Sequence, residues 1–84
     1  MELGERFNDS QTRVKALAKA PPNDDLLELY ALYKQATVGD ASGARPSMLD
    51  LKGRAKFDAW RKKKGLSKDD AMTKYVATVD RLAM

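Results

Sequence analysis

Apolar side chains recur every three or four residues in four separate stretches of the chain, and no stretch alternates polar and apolar residues with period two. In the second stretch the recurring positions are Leu26, Leu29, Tyr30, Tyr33 and Ala36. A chain of 84 residues builds one hydrophobic core, so all four stretches must share it. The pattern predicts an all-α domain that occupies residues 1–84 as a small bundle of four helices.

Prolines and glycines predict where the first two helices end. The first helix is predicted over residues 2–19 and is ended by the prolines at 21–22, because proline lacks an amide hydrogen and crowds the preceding turn. The second is predicted to begin near Asn23 and to stop at Gly39, a residue that readily adopts the left-handed conformation found after helix ends. The loop that follows, 40–49, is longer than the usual connection of about 4–6 residues.

Polar caps predict where the other two helices begin. Asp50 is placed to cap a third helix that runs to Lys64 and is ended by Gly65. Ser67 is followed three residues later by Asp70, which imitates a capping box with Asp in place of the usual Glu. We therefore expect a fourth helix from this point to the end of the chain.

The composition argues against most enzyme classes. The chain contains no histidine and no cysteine, so the commonest general base, the commonest metal ligand and any thiolate chemistry are missing. We therefore expect a protein that is not an enzyme, with no metal site and no cofactor. No window approaches the roughly 20 apolar residues that span a bilayer, and the first seven residues form no apolar signal core. The expectation is a cytoplasmic protein without stable membrane insertion.

The positive charge is concentrated in one segment. The net charge is +4 at pH 7, yet residues 51–68 alone hold eight basic side chains against one acidic one, which gives +7 there. This concentration indicates a local anion site. The basic run at 61–64 has a plainer explanation, since cations in a last helical turn complement the helix dipole, so it is not assigned to binding.

Two groups of side chains could form the anion site. On the second helix Tyr30, Tyr33 and Lys34 lie near one another, which also fits core aromatics with their hydroxyls at the rim. On the third helix one edge carries three lysines beside an aromatic arc: Lys52, Lys56 and Lys63. An ammonium group flanked by aromatic rings suits a phosphate attached to a base, although most lysine stripes are simply solvated.

An ordered series of segments resembles one known family. The segments are Tyr30–Asp40, Arg45–Pro46, Met48–Asp50, Lys52–Trp60, Lys64–Lys68, Asp70–Met72 and Tyr75. In this order they resemble the acyl-CoA-binding protein family over nearly the whole chain. The resemblance implies an antiparallel four-helix bundle of up-down-down-up type, with the 40–49 loop as its long overhand link. It also implies a protein that binds and carries medium- to long-chain fatty acyl-CoA thioesters without changing them chemically. We expect this protein to be a monomer.

The resemblance assigns roles to nine side chains. It gives the head group of coenzyme A to Tyr30, Tyr33, Lys34, Lys56 and Tyr75. It gives the borders of the acyl groove to Val14, Lys15, Leu26 and Leu27. In the first set Tyr30, Lys34 and Lys56 match residues that hold the 3′-phosphate of adenosine, while Tyr33 matches an aromatic beside the adenine. Phe57 stands where the family commonly has tryptophan, and Pro22 where it has a small residue.

Two other functions are compatible with the composition. A calculated isoelectric point near 9.5 fits a small helical domain that binds nucleic acid with a steep salt dependence. The chain shows no recognisable helix-turn-helix spacing, however, so we expect no nucleic-acid partner. The second alternative is a protein-interaction bundle that uses the aromatic face of the second helix.

Overall fold

The computed structural model describes all residues from Met1 to Met84 and contains four helices and no strand. The helices are α1 Leu3–Lys15, α2 Asn23–Thr37, α3 Leu51–Arg61 and α4 Lys68–Leu82. The predicted all-α architecture is therefore confirmed. None of these helices has both the length and the apolar run needed to cross a membrane.

Three of the predicted helix boundaries are set by the residues that the sequence indicated. The side chain of Asp50 accepts a hydrogen bond from the Gly53 amide at 2.9 Å, and that of Ser67 accepts one from the Asp70 amide at 3.0 Å. Gly39 follows the end of α2 with a φ of +101°. Each of these signals acts within a few residues, which is why the sequence alone could locate them.

Two helices are shorter than predicted. Helix α1 ends at Lys15 because a proline at position 21 crowds the carbonyl four residues before it, so the helix must stop a full turn ahead of the prolines. Helix α3 ends at Arg61, and the amides of Lys63 and Lys64 bond to carbonyls three residues back in a tighter turn. The prediction that α3 continues to Lys64 was therefore wrong.

Contacts between the helices fix their directions. The ring of Phe7 meets that of Tyr75 edge-on, with the ring centres 5.1 Å apart, and the guanidinium of Arg13 lies 2.8 Å from the carboxylate of Asp80. Because the later residue of α1 contacts the later residue of α4, the two helices run parallel. Arg81, at the end of α4, pairs with Asp25 at the start of α2 at 2.6 Å, so these two helices run antiparallel.

Helices α2 and α3 run parallel, because Tyr30 lies beside Lys56 and Lys34 lies one turn further along beside Trp60. The long link over residues 38–50 is needed to bring the chain back to the starting end of the bundle. The resulting arrangement is up-down-down-up, as predicted.

The core lies between α1, α2 and α4. Its seven buried side chains are Phe7, Leu29, Leu32, Ala36, Ala71, Tyr75 and Val79. Each of the larger ones contributes about 1.5–3 kcal/mol when fully buried. Helix α3 contributes no fully buried residue and packs against α2 alone. The crevice between α2 and α3 is therefore left open on one side.

Polar contacts join the ends of the helices to the loops. The Gln35 side-chain amide donates to the carboxylate of Asp40 at 2.7 Å and to the carbonyl of Leu66 at 2.8 Å. The amide of Gly65 donates to the same carboxylate at 2.9 Å. The hydrogen bond from the Gly65 amide and, to a smaller extent, that from the Gln35 side chain lower the pKa of Asp40. The end of α2 is thereby tied to the turn between α3 and α4.

Candidate ligand-binding trough

Two adjoining cavities lie along one face of α2. The first has a volume of about 390 Å³ and lies between α2 and α3, lined by Asn23, Leu26, Leu27, Tyr30, Lys52, Ala55 and Lys56. The second, about 370 Å³, lies between α1, α2 and α4, lined by Val14, Lys15, Pro21, Leu26, Leu29, Tyr30, Tyr33 and Tyr75. Leu26 and Tyr30 line both cavities. We refer to the two together as the trough.

The structure brings the predicted site residues together. Eight of the nine side chains line the trough: Val14, Lys15, Leu26, Leu27, Tyr30, Tyr33, Lys56 and Tyr75. The ninth, Lys34, lines neither cavity. It lies one helical turn after Tyr30, and its ammonium nitrogen is 4.9 Å from the centre of the Trp60 ring. Their roles toward a ligand remain predictions, but their placement around one concave surface is a property of the fold.

The mouth of the trough carries unneutralised positive charge. The ammonium nitrogen of Lys56 lies 5.2 Å from the centre of the Tyr30 ring. Neither Lys56 nor Lys34 forms an ion pair with a carboxylate, and the same is true of Lys52. Aromatic faces position Lys34 and Lys56 without neutralising them. Their charge is thus available to an incoming anion such as a phosphate.

Tyrosine rings line the part of the trough between α1, α2 and α4. Tyr75 is only 5% exposed, and its burial, with a smaller effect from neighbouring Tyr33, raises the pKa of its phenol. At neutral pH it is therefore a neutral hydroxyl that can donate a hydrogen bond. Tyr33 stacks on the ring of Phe7, with the ring centres 6.1 Å apart. Because Tyr33 remains 39% exposed, its ring is also accessible to a planar group.

The opposite part of the trough is apolar. Leu26 is 45% exposed and forms part of both cavities, while Leu27 lies next to it, facing α3. Ala55 supplies a small side chain on the α3 side, which leaves room between the helices. An exposed leucine in a concave surface indicates a site for an apolar group. The trough is thus polar and cationic beside Tyr30 and Lys56 and apolar beside Leu26 and Leu27.

The resemblance gave no role to several lining residues, one of which, Lys52, the lysine spacing had already named as a candidate for the anion site. Lys52 lies one helical turn before Lys56 on the same edge of α3, so the lysine spacing contained the signal. Asn23, Pro21 and Ala55 carry no chemical signal in the sequence.

The sequence predicted Lys63 on the same edge of α3 as Lys52 and Lys56, and this prediction was wrong. Lys63 lies beyond the end of α3 and pairs with Glu28 at 2.7 Å. On the helical wheel of α2, Glu28 lies nearly opposite the side that lines the trough, so Lys63 faces a different surface.

The chain is similar to known proteins over nearly its whole length. A family model described as "Acyl CoA binding protein" matches residues 4–79. The chain belongs to the acyl-CoA-binding protein family. An acyl-CoA-binding protein homolog from Manduca sexta is 57% identical over 83 residues, covering 98% of this chain and 92% of the relative. Acyl-CoA-binding protein homolog 1 from Caenorhabditis elegans is 57% identical over 76 residues, covering 90% of this chain and 88% of the relative.

Solved structures of the acyl-CoA-binding protein family share this fold. The crystal structure of Oryza sativa acyl-CoA-binding protein 2 superposes with a TM-score of 0.91 at 43% identity, covering 96% of this chain and 90% of that one. The crystal structure of the acyl-CoA-binding protein from Moniliophthora perniciosa superposes with a TM-score of 0.88 at 37% identity, covering 98% of this chain and 80% of that one. Both the family and the four-helix fold that the resemblance implied are confirmed.

Proposed function

We propose that this protein binds medium- to long-chain fatty acyl-CoA thioesters, and carries and buffers them without chemical change. The observation that supports this most directly is the trough itself, in which unpaired lysines and tyrosine hydroxyls adjoin an apolar floor. A thioester of coenzyme A has the same two-part character. Membership of the acyl-CoA-binding protein family supports the same ligand, because the relatives are named for binding it.

The mouth of the trough suits the nucleotide end of the ligand. Coenzyme A carries about four negative charges on its phosphates, and charge-assisted hydrogen bonds to such groups are about twice as strong as neutral ones. Lys34 and Lys56 supply the cations, Tyr30 supplies a hydroxyl, and the accessible ring of Tyr33 offers a stacking surface for adenine. We assign the 3′-phosphate of the adenosine to Tyr30, Lys34 and Lys56.

The apolar part of the trough suits the acyl chain. Each methylene group removed from water contributes about 0.8 kcal/mol when it is fully buried, so eight extra methylenes contribute at most roughly 6 kcal/mol. Because Leu26 is 45% exposed, the floor of the trough is shallow and the gain per methylene falls below that limit. Chain length is nevertheless the main determinant of affinity.

Carriage without catalysis fits the lining of the trough. The side chains that line it include no carboxylate, histidine or cysteine, so the commonest general bases and the most reactive side-chain nucleophile are missing from the lining. A monomeric state, a cytoplasmic location and the lack of a nucleic-acid partner remain predictions that accompany this function.

Calorimetric titration tests the proposal. We expect palmitoyl-CoA to bind far more tightly than either free palmitate or free coenzyme A, because only the thioester fills both parts of the trough. Equal affinity for palmitate and palmitoyl-CoA would contradict the proposal. Binding of an oligonucleotide at 150 mM salt with an affinity that matches palmitoyl-CoA would favour the nucleic-acid alternative instead.

A further inference from the structure

A second concave surface, separate from the trough, is lined mainly by lysines. It has a volume of about 370 Å³ and is formed by α2, by the turn between α3 and α4, and by the middle of α4. Four lysines line it together with one carboxylate and one large apolar side chain: Lys62, Lys63, Lys64, Lys74, Glu28 and Leu66. We call these six residues the lysine cradle.

The fold, and not the basic run alone, assembles the lysine cradle. The sequence explained the run at 61–64 by the dipole of α3, and that explanation still accounts for Arg61, which lies in the last turn of the helix. It does not account for Lys74, which lies in the middle of α4. Packing of the helices brings Lys74 to the same concave surface as the lysines of the turn. The cradle is therefore a feature of the tertiary structure.

Three of the four lysines have no carboxylate partner. Lys63 pairs with Glu28 at 2.7 Å, whereas Lys62, Lys64 and Lys74 form no ion pair. Like charges that a fold holds close together repel one another, and a concave surface of one sign concentrates their field. A bound anion relieves this repulsion.

The carboxylates near the cradle do not neutralise it. Asp40 lies near Lys64, which contributes to the lowering of the pKa of Asp40, but its carboxylate accepts the hydrogen bonds described above and forms no ion pair. Asp70 lies four residues before Lys74 on α4 and does not pair with it either. The cradle thus keeps an excess of positive charge that no neighbouring group uses.

We propose that the lysine cradle binds an acidic segment of a partner protein, in which carboxylates flank an apolar side chain. The carboxylates pair with Lys62, Lys64 and Lys74, and the apolar side chain covers Leu66. Glu28 lies on the side of α2 nearly opposite the residues that line the trough, so the segment can bind while the trough is occupied. The binding of the segment does not require acyl-CoA and goes beyond the proposed function.

The lining of the cradle favours carboxylates over a nucleotide or a nucleic acid. No aromatic ring lines it, so it offers no surface on which a base could stack. No arginine lines it, so the planar fork that binds a phosphate through two parallel hydrogen bonds is missing. Lysine is a flexible point charge that accepts carboxylates from several directions.

Fluorescence anisotropy with synthetic peptides tests the proposal on the full chain, in the absence of acyl-CoA. The acidic probe is a labelled peptide of about ten residues in which glutamates flank two leucines, and its control carries glutamine in place of every glutamate. We expect the acidic probe to bind, with an affinity that falls as the salt concentration rises, and the control peptide not to bind. The double variant Lys62→Gln/Lys74→Gln should raise the Kd of the acidic probe by about three- to tenfold, as the loss of two exposed ion pairs implies.

The matched control is the double variant Lys19→Gln/Arg54→Gln, which removes two positive charges that neither line the cradle nor form an ion pair. It should bind the acidic probe as the unaltered protein does. Four results would each overturn the proposal: no binding of the acidic probe, equal affinity of the cradle variant and the unaltered protein, an equal loss in both double variants, or tighter binding of a duplex oligonucleotide that the cradle variant abolishes.

Calorimetry with palmitoyl-CoA separates this proposal from the proposed function. The cradle variant should bind palmitoyl-CoA as the unaltered protein does, and the acidic probe should bind equally to free and to loaded protein. Displacement of the probe by palmitoyl-CoA would place the probe in the trough and overturn the proposal. Failure of the unaltered protein to bind palmitoyl-CoA would remove the proposed function and leave the result for the cradle standing.

Discussion

Lys56 on α3 extends its ammonium group over the ring of Tyr30 on α2, and the reverse pairing occurs one turn further on, where Lys34 on α2 lies over Trp60 on α3. Each helix thus offers a cation to an aromatic ring of the other. These two contacts link α2 to α3 and leave both positive charges unneutralised. These four side chains converge only in the folded bundle, so the site should be absent from an isolated peptide of either helix.

The reciprocal pairing predicts the effect of removing one cation or one hydroxyl. Lys56→Ala and Tyr30→Phe should each weaken palmitoyl-CoA binding by about tenfold or more, since a hydrogen bond to a charged group contributes about 1.5–3 kcal/mol. Calorimetry measures the affinity, and thermal unfolding should show that both variants remain folded. Lys62→Ala, which alters an exposed lysine outside the trough, serves as the control. Unchanged dissociation constants in both trough variants would remove these residues from the site.

The buried phenol of Tyr75 predicts a loss of stability in alkaline solution. Its pKa is raised in the folded protein, so the unfolded chain ionises first as the pH rises through the ordinary value near 10. Its contribution is fully present below that pH and is lost as the pH rises toward the folded pKa. Tyr75→Phe should flatten this decline in urea unfolding measured between about pH 9 and 11. An equal decline in both proteins would contradict the assignment.

The carboxylate of Asp40 predicts the opposite behaviour in acid. Its pKa is lowered by the amide of Gly65 and then by the side chain of Gln35, so the folded protein favours the charged form. The stabilisation is present above the ordinary value near 3.9 and is lost as the pH falls through the lowered folded pKa. Asp40→Asn should therefore reduce the acid dependence of unfolding below pH 4. Asp69→Asn, at an exposed position in the first turn of α4, is the comparison.

The turn after α3 predicts that an alanine substitution has opposite effects on stability at two glycines. Gly65 has a φ of +91°, in the left-handed region, and alanine there should cost about 1–2 kcal/mol. Gly4 lies within α1, with no atom within 4 Å of an added Cβ, so Gly4→Ala should stabilise by up to about 1 kcal/mol. The two melting temperatures should move in opposite directions, by about 4–8 °C for each kcal/mol. A neutral Gly65→Ala would argue against the turn.

Helix type and caps could be predicted because they depend on neighbouring residues. The Asp50 and Ser67 caps and the stop at Gly39 each act over three or four positions, and all three occur as expected. The end of α1 was missed because the effect of proline reaches back a full turn. The burial of Gln35, 1% exposed, follows from contacts with Leu66, more than thirty residues away, which no local pattern shows.

The site was predicted by resemblance more than by pattern. Periodicity alone favoured Tyr75 as a core residue of the fourth helix, and only the resemblance assigned it to the ligand. In the structure Tyr75 is buried in the core and also lines the trough. Lys52 and Lys63 looked equivalent on an extended helix, yet α3 ends between them. Only the folded chain shows that Lys52 faces the trough while Lys63 pairs with Glu28.

The edge-on contact between Phe7 and Tyr75 joins the two ends of the chain. During synthesis the first helix emerges long before α4, the helix against which it mainly packs. Most of its apolar side therefore remains exposed to water until the ribosome has made α4. An N-terminal fragment that ends before α4 should therefore remain unfolded, and the whole bundle should form in one cooperative step once the last helix is released.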